Sequence, residues 1–514
     1  MIRRLQALAR HLLPAAIRRP LADRVYGLLT RAMNLRQNVR LRLLALRLRA
    51  ASHPGLGRVV KSAQRWVHEL TPRLVINYAG RLENFGQALP TPARLGQGHK
   101  GVAMMIGTLG GGGSERQLVL TAQGLQARGM TGLAVTVASL QDEADRFFLP
   151  DLTQAGVRAV AFDDLDHTQE LPAHAASALG KLPRKITSMR AHLRVLAQHR
   201  PEVAHLWLDE VNVKGGLAAV ALGVPRIVLG MRSVPPTNFL LYQPYMRDCY
   251  RWLARQPGVV MINNSQAGAE AYEQWLELPQ GSITILRNGF VFEESRLRAS
   301  REQRPHLRER LGIPPGAPVV GSAMRLSEEK RPGLWLESAA HLTALLPEAH
   351  FIVAGDGPMF KAVQRKTKKL GLGGRLHWLG RTKEVFAAMA AMDLFLLTSR
   401  VEGLPNVLVE AQSLGVPVVS TKAGGAPETM RHGVTGWVLE RDDPRYIAQE
   451  LKRLWDDQDW RRRAQTEGLP WVQRRFGLER MIDETLAVYQ LDRRQIGGAA
   501  TQEVRFDSRR GGIL

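Results

Sequence analysis

The chain has 514 residues, 45% of them apolar and 23% charged, ordinary values for a globular protein that exclude a wholly disordered or fibrous chain. The length predicts two or three domains, and the single cysteine, Cys249, excludes an intrachain disulfide and points to a reducing compartment. The net charge of +24 is concentrated at the start, where residues 1–100 hold 19 Lys and Arg against only Asp23, Glu69 and Glu83.

In chain order, residues 1–95 read as a basic helical extension, in which LRLLALRLRA at 41–50 mixes Leu and Arg without separating them onto two faces. Leu12-Leu13 are followed by Pro14 and Arg18-Arg19, which breaks the apolar run of a secretory signal. The composition partly fits a transit peptide, although serine is scarce. It fits a solvated extension as well as one drawn to anionic lipid headgroups, at about 1 kcal/mol per basic residue near the surface. Nucleic acid would be attracted by the same charge but is not an expected partner. No apolar run long enough to span a bilayer is present.

QALPTPARLGQGHKG at 87–101 marks a boundary, so the folded part is expected to start near residue 100. Strand-like apolar runs then alternate with helical stretches at 102–109, 133–140, 157–162, 203–208, 226–231 and 259–265. A second series follows at 318–325, 350–357, 376–380, 393–399, 416–421 and 436–440. Such alternation predicts parallel sheets with crossover helices, here two doubly wound Rossmann-like domains in tandem. Their ligands are expected outside the carboxyl ends of the strands, in a cleft between the domains. The predicted divisions are a basic extension at 1–99, domains at 100–290 and 291–475, a terminal helix at 476–492 and a disordered tail at 493–514.

The strongest constellation is SRVEGLPNVLVEAQSLGVPVVSTKAGGAPETMRHGVTGWVL at 399–439. Pro405 suits a first helical turn and Asn406 onward reads as a helix ending near Gly415, so the loop before it offers backbone N–H groups and a positive helix end to a diphosphate. Glu402 precedes that helix and Glu410 lies inside it, at different depths of one site. Carboxylates in those places suit hydrogen bonds from sugar and ribose hydroxyls. In the first half, GTLGGGGSERQLVLTAQGLQARGM at 107–130 leaves a strand and opens a helix, with Gly111, Gly112 and Gly113 allowing close approach to the backbone. It lacks the G-x-G-x-x-G spacing of a dinucleotide site.

The segment at 399–439 resembles the signature of glycosyltransferase family four, in which two glutamates are separated by seven residues, as Glu402 and Glu410 are. The resemblance implies that Glu402 lies by the donor sugar and the reacting centre, with Gly403, Leu404, Pro405 and Asn406 beside it, and that Glu410 binds the nucleotide ribose. AMRLSEEKRP at 323–332 resembles the family segment whose Arg and Lys hold the donor diphosphate, which implies that role for Arg325 and Lys330. Cations there stabilise the negative charge that grows on a departing diphosphate. VAGDGP at 353–358 and LGR at 379–381 also match, which implies nucleobase contacts at Gly380 and Arg381, whereas Gly355 and Gly357 read as turn formers. AGGAPETM at 423–430 places Gly424 and Gly425 near the donor sugar or phosphate.

INNSQAGAEAY at 262–272 and RNGF at 287–290 resemble further family segments, with Asn288-Gly289 read as a structural turn. Where many members place a histidine near the donor sugar, VLGMRSVPP puts Arg232, open to an anionic acceptor or donor group or to a structural ion pair. Asp-x-Asp patterns at 164–166 and 457–459 read as solvated loops without metal. RRFGLERMIDETLAVYQ at 474–490 resembles the terminal helix that packs back on the first domain.

The resemblance covers residues 100–490 and implies a GT-B fold and a retaining, metal-independent glycosyltransferase of the hexosyl type. It needs no cofactor, the nucleotide-sugar being a co-substrate. The expected donor is a UDP- or GDP-sugar and the expected acceptor a glycan or lipid-linked glycan of cell-surface polysaccharide or glycolipid synthesis. The expected place is the cytoplasm, peripheral on the inner face of the membrane through residues 1–95. A nucleotide-sugar epimerase on the same fold and a catalytically silent membrane-associated partner are the alternatives.

Overall fold

The computed structural model describes residues 77–90 and 100–491, apart from 131, 141–142, 165–169, 184–185, 239–241 and 244. The expectations for the basic extension up to residue 76 and for the tail after residue 491 lie outside the described residues, as do the second and third residues of the 164–166 pattern.

Two parallel sheets carry the architecture. The first holds β1 (Val102–Ile106), β2 (Leu133–Val137), β3 (Arg158–Ala161), β4 (Val203–Trp207), β5 (Arg226–Met231), β6 (Val259–Asn263) and β7 (Thr284–Ile285) in the order β3-β2-β1-β4-β5-β6-β7. The second holds β8 (Val319–Ala323), β9 (His350–Ala354), β10 (Leu376–Gly380), β11 (Leu394–Leu397), β12 (Val418–Thr421) and β13 (Gly436–Leu439) in the order β10-β9-β8-β11-β12-β13. The central strands β1, β4, β8 and β11 are buried along their whole length and mostly apolar, because helices cover both faces of each sheet. In each sheet the strand order reverses beside the first strand, at β1/β4 and at β8/β11, which opens a crevice at the carboxyl edge. The two-residue β7 was not foreseen; it pairs with β6 through Thr284 and Ile285 alone.

One predicted boundary moves. Helix Tyr78–Gln87, inside the segment assigned to the extension, buries Leu82 and Phe85 in the core of the first domain. Phe85 packs edge-on against Trp252 at 5.6 Å between centroids. Packing onto the first domain therefore begins upstream of residue 100, because an aromatic and a leucine three positions apart give this helix one apolar face.

The closing helix Leu478–Tyr489 returns to the first domain, where Met481, Ile482 and Tyr489 join the core around β1 and β4. His205 of β4 shares a hydrogen bond of 2.8 Å with the Tyr489 hydroxyl, and burial together with nearby Arg232 pulls the imidazole down to about 3. The pattern at 457–459 is a helix start rather than a loop: the Asp457 carboxylate accepts from Trp460 N at 2.9 Å, and Asp459 pairs with Arg462. An N-cap carboxylate satisfies an otherwise orphaned helical N–H, which explains an acid here without a metal role. Among the described residues no helix is long and apolar enough to cross a membrane.

Candidate active site

The loop between β11 and helix Asn406–Ser413 is fixed from two sides. Arg331, held at φ +49° after a single turn Glu328–Lys330, donates from Nε to Thr398 O at 2.6 Å and from Nη2 to Ser399 O at 2.8 Å. The Thr421 hydroxyl donates to Ser399 O at 2.7 Å. Both anchors use backbone carbonyls that the end of β11 leaves free, so the loop leaves the sheet in one direction. Arg331 was part of a charge run in the sequence, and nothing in that run separates it from its neighbours.

Glu402, 8% exposed, accepts an ion-paired hydrogen bond from Lys330 Nζ at 2.6 Å. Sequence-distant residues of one domain thus converge on the carboxyl edge of the second sheet. Arg325, just beyond β8, is exposed, and its side chain makes no hydrogen bond or ion pair with the described residues. Gly380 ends β10 at φ +61°, with its carbonyl accepting from Gly355 N at 2.8 Å, and Arg381 follows it exposed. These residues share the carboxyl edge with Glu402. A Cβ on Gly355 would meet Met324 O at 2.0 Å and one on Gly357 would meet Leu326 O at 2.6 Å, so both serve chain packing.

Gly403, Gly424 and Gly425 are required by close packing of loop on loop. A Cβ on Gly424 would lie 2.0 Å from Glu402 O, one on Gly425 2.1 Å from Gly403 O, and one on Gly403 2.1 Å from Arg232 O of the first domain. The space expected for a ligand beside these Cα atoms is filled by backbone. Leu404 and Pro405 are buried, and Asn406 is half-buried at the helix start.

Glu410, 5% exposed, pairs with Arg116 from the first domain. Arg116 stands in the first turn of helix Gly113–Ala127, which starts at Gly112 without a side-chain cap. The Gly113 Cα faces Asn406 so closely that a Cβ would lie 3.2 Å from its amide nitrogen. Two helix N-termini, one from each domain, therefore meet here, and their orphan N–H groups and positive ends favour an anion between them. Gly111 and Gly112 are half-buried, and the Glu115 carboxylate folds over Gly112. Burial raises the Glu115 pKa above its ordinary 4.5, although a backbone hydrogen bond opposes the rise.

Asn288 does more than turn the chain. Buried at 3%, it accepts from Arg232 Nη2 and donates from Nδ2 to Asn406 Oδ1 at 2.6 Å. Next to it, Gln117 and Gly289 exchange two hydrogen bonds, of 3.0 and 2.8 Å. Glu428 closes the junction from the other side: its carboxylate accepts from Gln266 N and Ala267 N, both at 2.9 Å, capping helix Gln266–Leu276 of the opposite domain. Arg116, Arg331 and Glu428 were not assigned roles from sequence. For Arg116 the available signal was its place one turn into the helix that follows the glycine loop.

The profile of Glycosyl transferases group 1 matches residues 303–469, and that of Glycosyltransferase Family 4 matches residues 111–294. The chain belongs to the group 1, family four glycosyltransferases, has the GT-B fold and is a glycosyltransferase. It is 29% identical over 415 residues to the Vi polysaccharide biosynthesis protein VipC/TviE of Salmonella typhi, covering 74% of this chain and 70% of that one. It is 26% identical to the N-acetyl-alpha-D-glucosaminyl L-malate synthase of Bacillus anthracis over 48% of this chain and 63% of that one. The crystal structure of Anabaena Alr3699/HepE in complex with UDP-glucose superposes with a TM-score of 0.60 at 23% identity, covering 76% of this chain and 100% of that chain.

Proposed function

We propose that the protein transfers a hexosyl group from a UDP- or GDP-sugar to a glycan or lipid-linked acceptor of cell-surface polysaccharide or glycolipid synthesis, with retention of anomeric configuration and without metal. The observation that carries this reading is the Lys330–Glu402 ion pair at the carboxyl edge of the second sheet, an edge that Arg325 shares as an exposed residue just beyond β8. That a structural neighbour is a UDP-glucose complex, and that relatives serve polysaccharide synthesis, supports it.

In the reaction the bond between the anomeric carbon and the diphosphate oxygen breaks, and the acceptor hydroxyl oxygen bonds to that carbon. The hydroxyl proton passes to the departing diphosphate. Arg325 and Lys330 stabilise the charge that develops on the diphosphate. Glu402 has one oxygen held by Lys330 and positions the donor sugar with the other. Glu410 takes the ribose hydroxyls once Arg116 releases it. Residues 1–95 bring the enzyme to an anionic membrane surface on the cytoplasmic side.

The test is an acceptor-dependent release of nucleoside diphosphate by the full chain, with the anomeric configuration of the product read by NMR. Acceptor-dependent release with retained configuration is the expected result. Sugar released or epimerised without acceptor favours the epimerase alternative, and neither binding nor turnover of UDP- and GDP-sugars favours the silent partner.

A further inference from the structure

Where the two sheets meet, the cations Arg116, Lys330 and Arg287 are matched by Glu410, Glu402 and Glu428. Arg232 is the contrast. It is 7% exposed, yet no carboxylate of the described residues lies within ion-pair distance of its guanidinium. Its partners are neutral: Asn288 Oδ1 accepts from Nη2, and the Trp207 ring lies 4.5 Å from Cζ. Among the described residues Nε is enclosed without an acceptor and Nη1 has no acceptor and is not enclosed. Burial with no compensating anion lowers the guanidinium pKa to about 9.

Its place suits a ligand. Arg232 follows β5, next to the end of β4 and the crevice where the strand order reverses at β1/β4. Trp207 offers a second enclosed donor, an indole Nε1–H with no acceptor. Leu208, directly after it, is held at φ +71°, a conformation that a branched side chain disfavours and that persists where surrounding structure imposes it. Gly403 of the opposite domain packs on the Arg232 carbonyl, which sets the Arg232 backbone against the residue that follows Glu402.

We propose that Arg232 is a specificity determinant that receives a pair of anionic oxygens on the sugar substrate, a carboxylate or a phosphate other than the donor diphosphate. The planar fork of a guanidinium fits two such oxygens at once, and an ammonium does not. Asn288, itself pinned by Asn406, orients the fork and leaves its other edge open. This inference rests on the glycosyltransfer reading and adds the charge class of the substrate to it.

The experiment is calorimetry on the full chain and on Arg232→Met and Arg232→Lys, whose thermal unfolding is recorded alongside. The probes are UDP, GDP, UDP-glucose against UDP-glucuronate, and GDP-mannose against GDP-mannuronate. Methyl glucuronide, inorganic phosphate and methyl glucoside are titrated with and without nucleotide. If the anion is on the donor, wild type prefers a uronate donor over its neutral partner by at least about tenfold, and Arg232→Met removes the preference while leaving binding of the bare nucleotide unchanged. If the anion is on the acceptor, the donors bind alike, and methyl glucuronide or phosphate binds wild type but not Arg232→Met. Arg232→Lys falls between in either case. No preference of wild type for any anionic probe over its neutral counterpart overturns the proposal, as does an equal loss of bare nucleotide and both donors in Arg232→Met. Absence of any nucleotide binding contradicts the transferase reading separately, with the anion titrations still read on the unliganded chain.

Discussion

Glu402 and Glu410 stand eight positions apart in the chain and are both nearly buried, but they are held by different parts of the molecule. Glu402 is matched within its own domain by Lys330, whereas Glu410 is matched by Arg116 from the opposite domain. The first pair survives any separation of the domains; the second does not. The difference teaches which part of the site is permanent. The Lys330–Glu402 edge is pre-organised for chemistry, and the Glu410 carboxylate becomes available to a ribose only when the domain junction yields.

The largest effect that breaks this comparison is expected from Lys330→Ala or Glu402→Gln. Either should lower turnover by about 10²–10³-fold, and Lys330→Ala should also lower the unfolding temperature, because it leaves the nearly buried Glu402 carboxylate unpaired. Initial rates at saturating donor check this, and turnover within threefold of wild type, on the order of 0.7 kcal/mol, contradicts a permanent catalytic edge. Glu410→Gln should instead weaken nucleotide binding by about tenfold to a hundredfold, the loss of one charge-assisted hydrogen bond. Arg116→Ala sharpens the contrast because it frees the carboxylate: nucleotide affinity is expected to rise, by up to about tenfold, while Lys330→Ala lowers it. Titration calorimetry separates these signs.

Smaller effects probe the junction itself. Gly425→Ala must push Gly403 away from a position 2.1 Å from the new Cβ, so a loss of about 1–3 kcal/mol in stability is expected, with turnover falling as well. Glu428→Gln keeps the shape but removes the charge that caps helix Gln266–Leu276 across the domains, for about 1 kcal/mol; urea unfolding measures both. The smallest is a pH effect. Glu115 has a folded pKa raised above its ordinary 4.5 by burial, so between those two values the folded state binds more protons than the unfolded one. Its contribution is fully present below 4.5 and is lost as pH rises through the folded value. Glu115→Gln should therefore flatten the stability profile between 4.5 and the folded value and stabilise the protein at neutrality, and an unchanged profile contradicts the burial of this carboxylate.

Much of this was legible in the chain because parallel strands buried on both faces appear as continuous apolar runs. All but the two-residue β7 of the strands lie within segments read from the sequence. That Lys330 and Glu402 belong to one site was implied by the family resemblance of their two segments, but their ion pair was not read. What sequence withheld is contact between domains. Arg116 on Glu410, Asn288 on Asn406, and Glu428 on the start of a distant helix join positions more than 100 residues apart, and no local pattern records such pairs. The packing of helix Tyr78–Gln87 on the first domain was missed for another reason: a strongly basic composition on its N-terminal side masked its short apolar face.

The most direct test of the account is calorimetric titration of UDP and GDP into wild type and into the double variant Arg325→Ala, Lys330→Ala. Tight binding of one nucleotide by wild type, lost by at least about a hundredfold in the double variant, is the predicted result. Undiminished binding in the double variant, or no binding of either nucleotide to wild type, contradicts the placement of the donor diphosphate at the carboxyl edge of the second sheet.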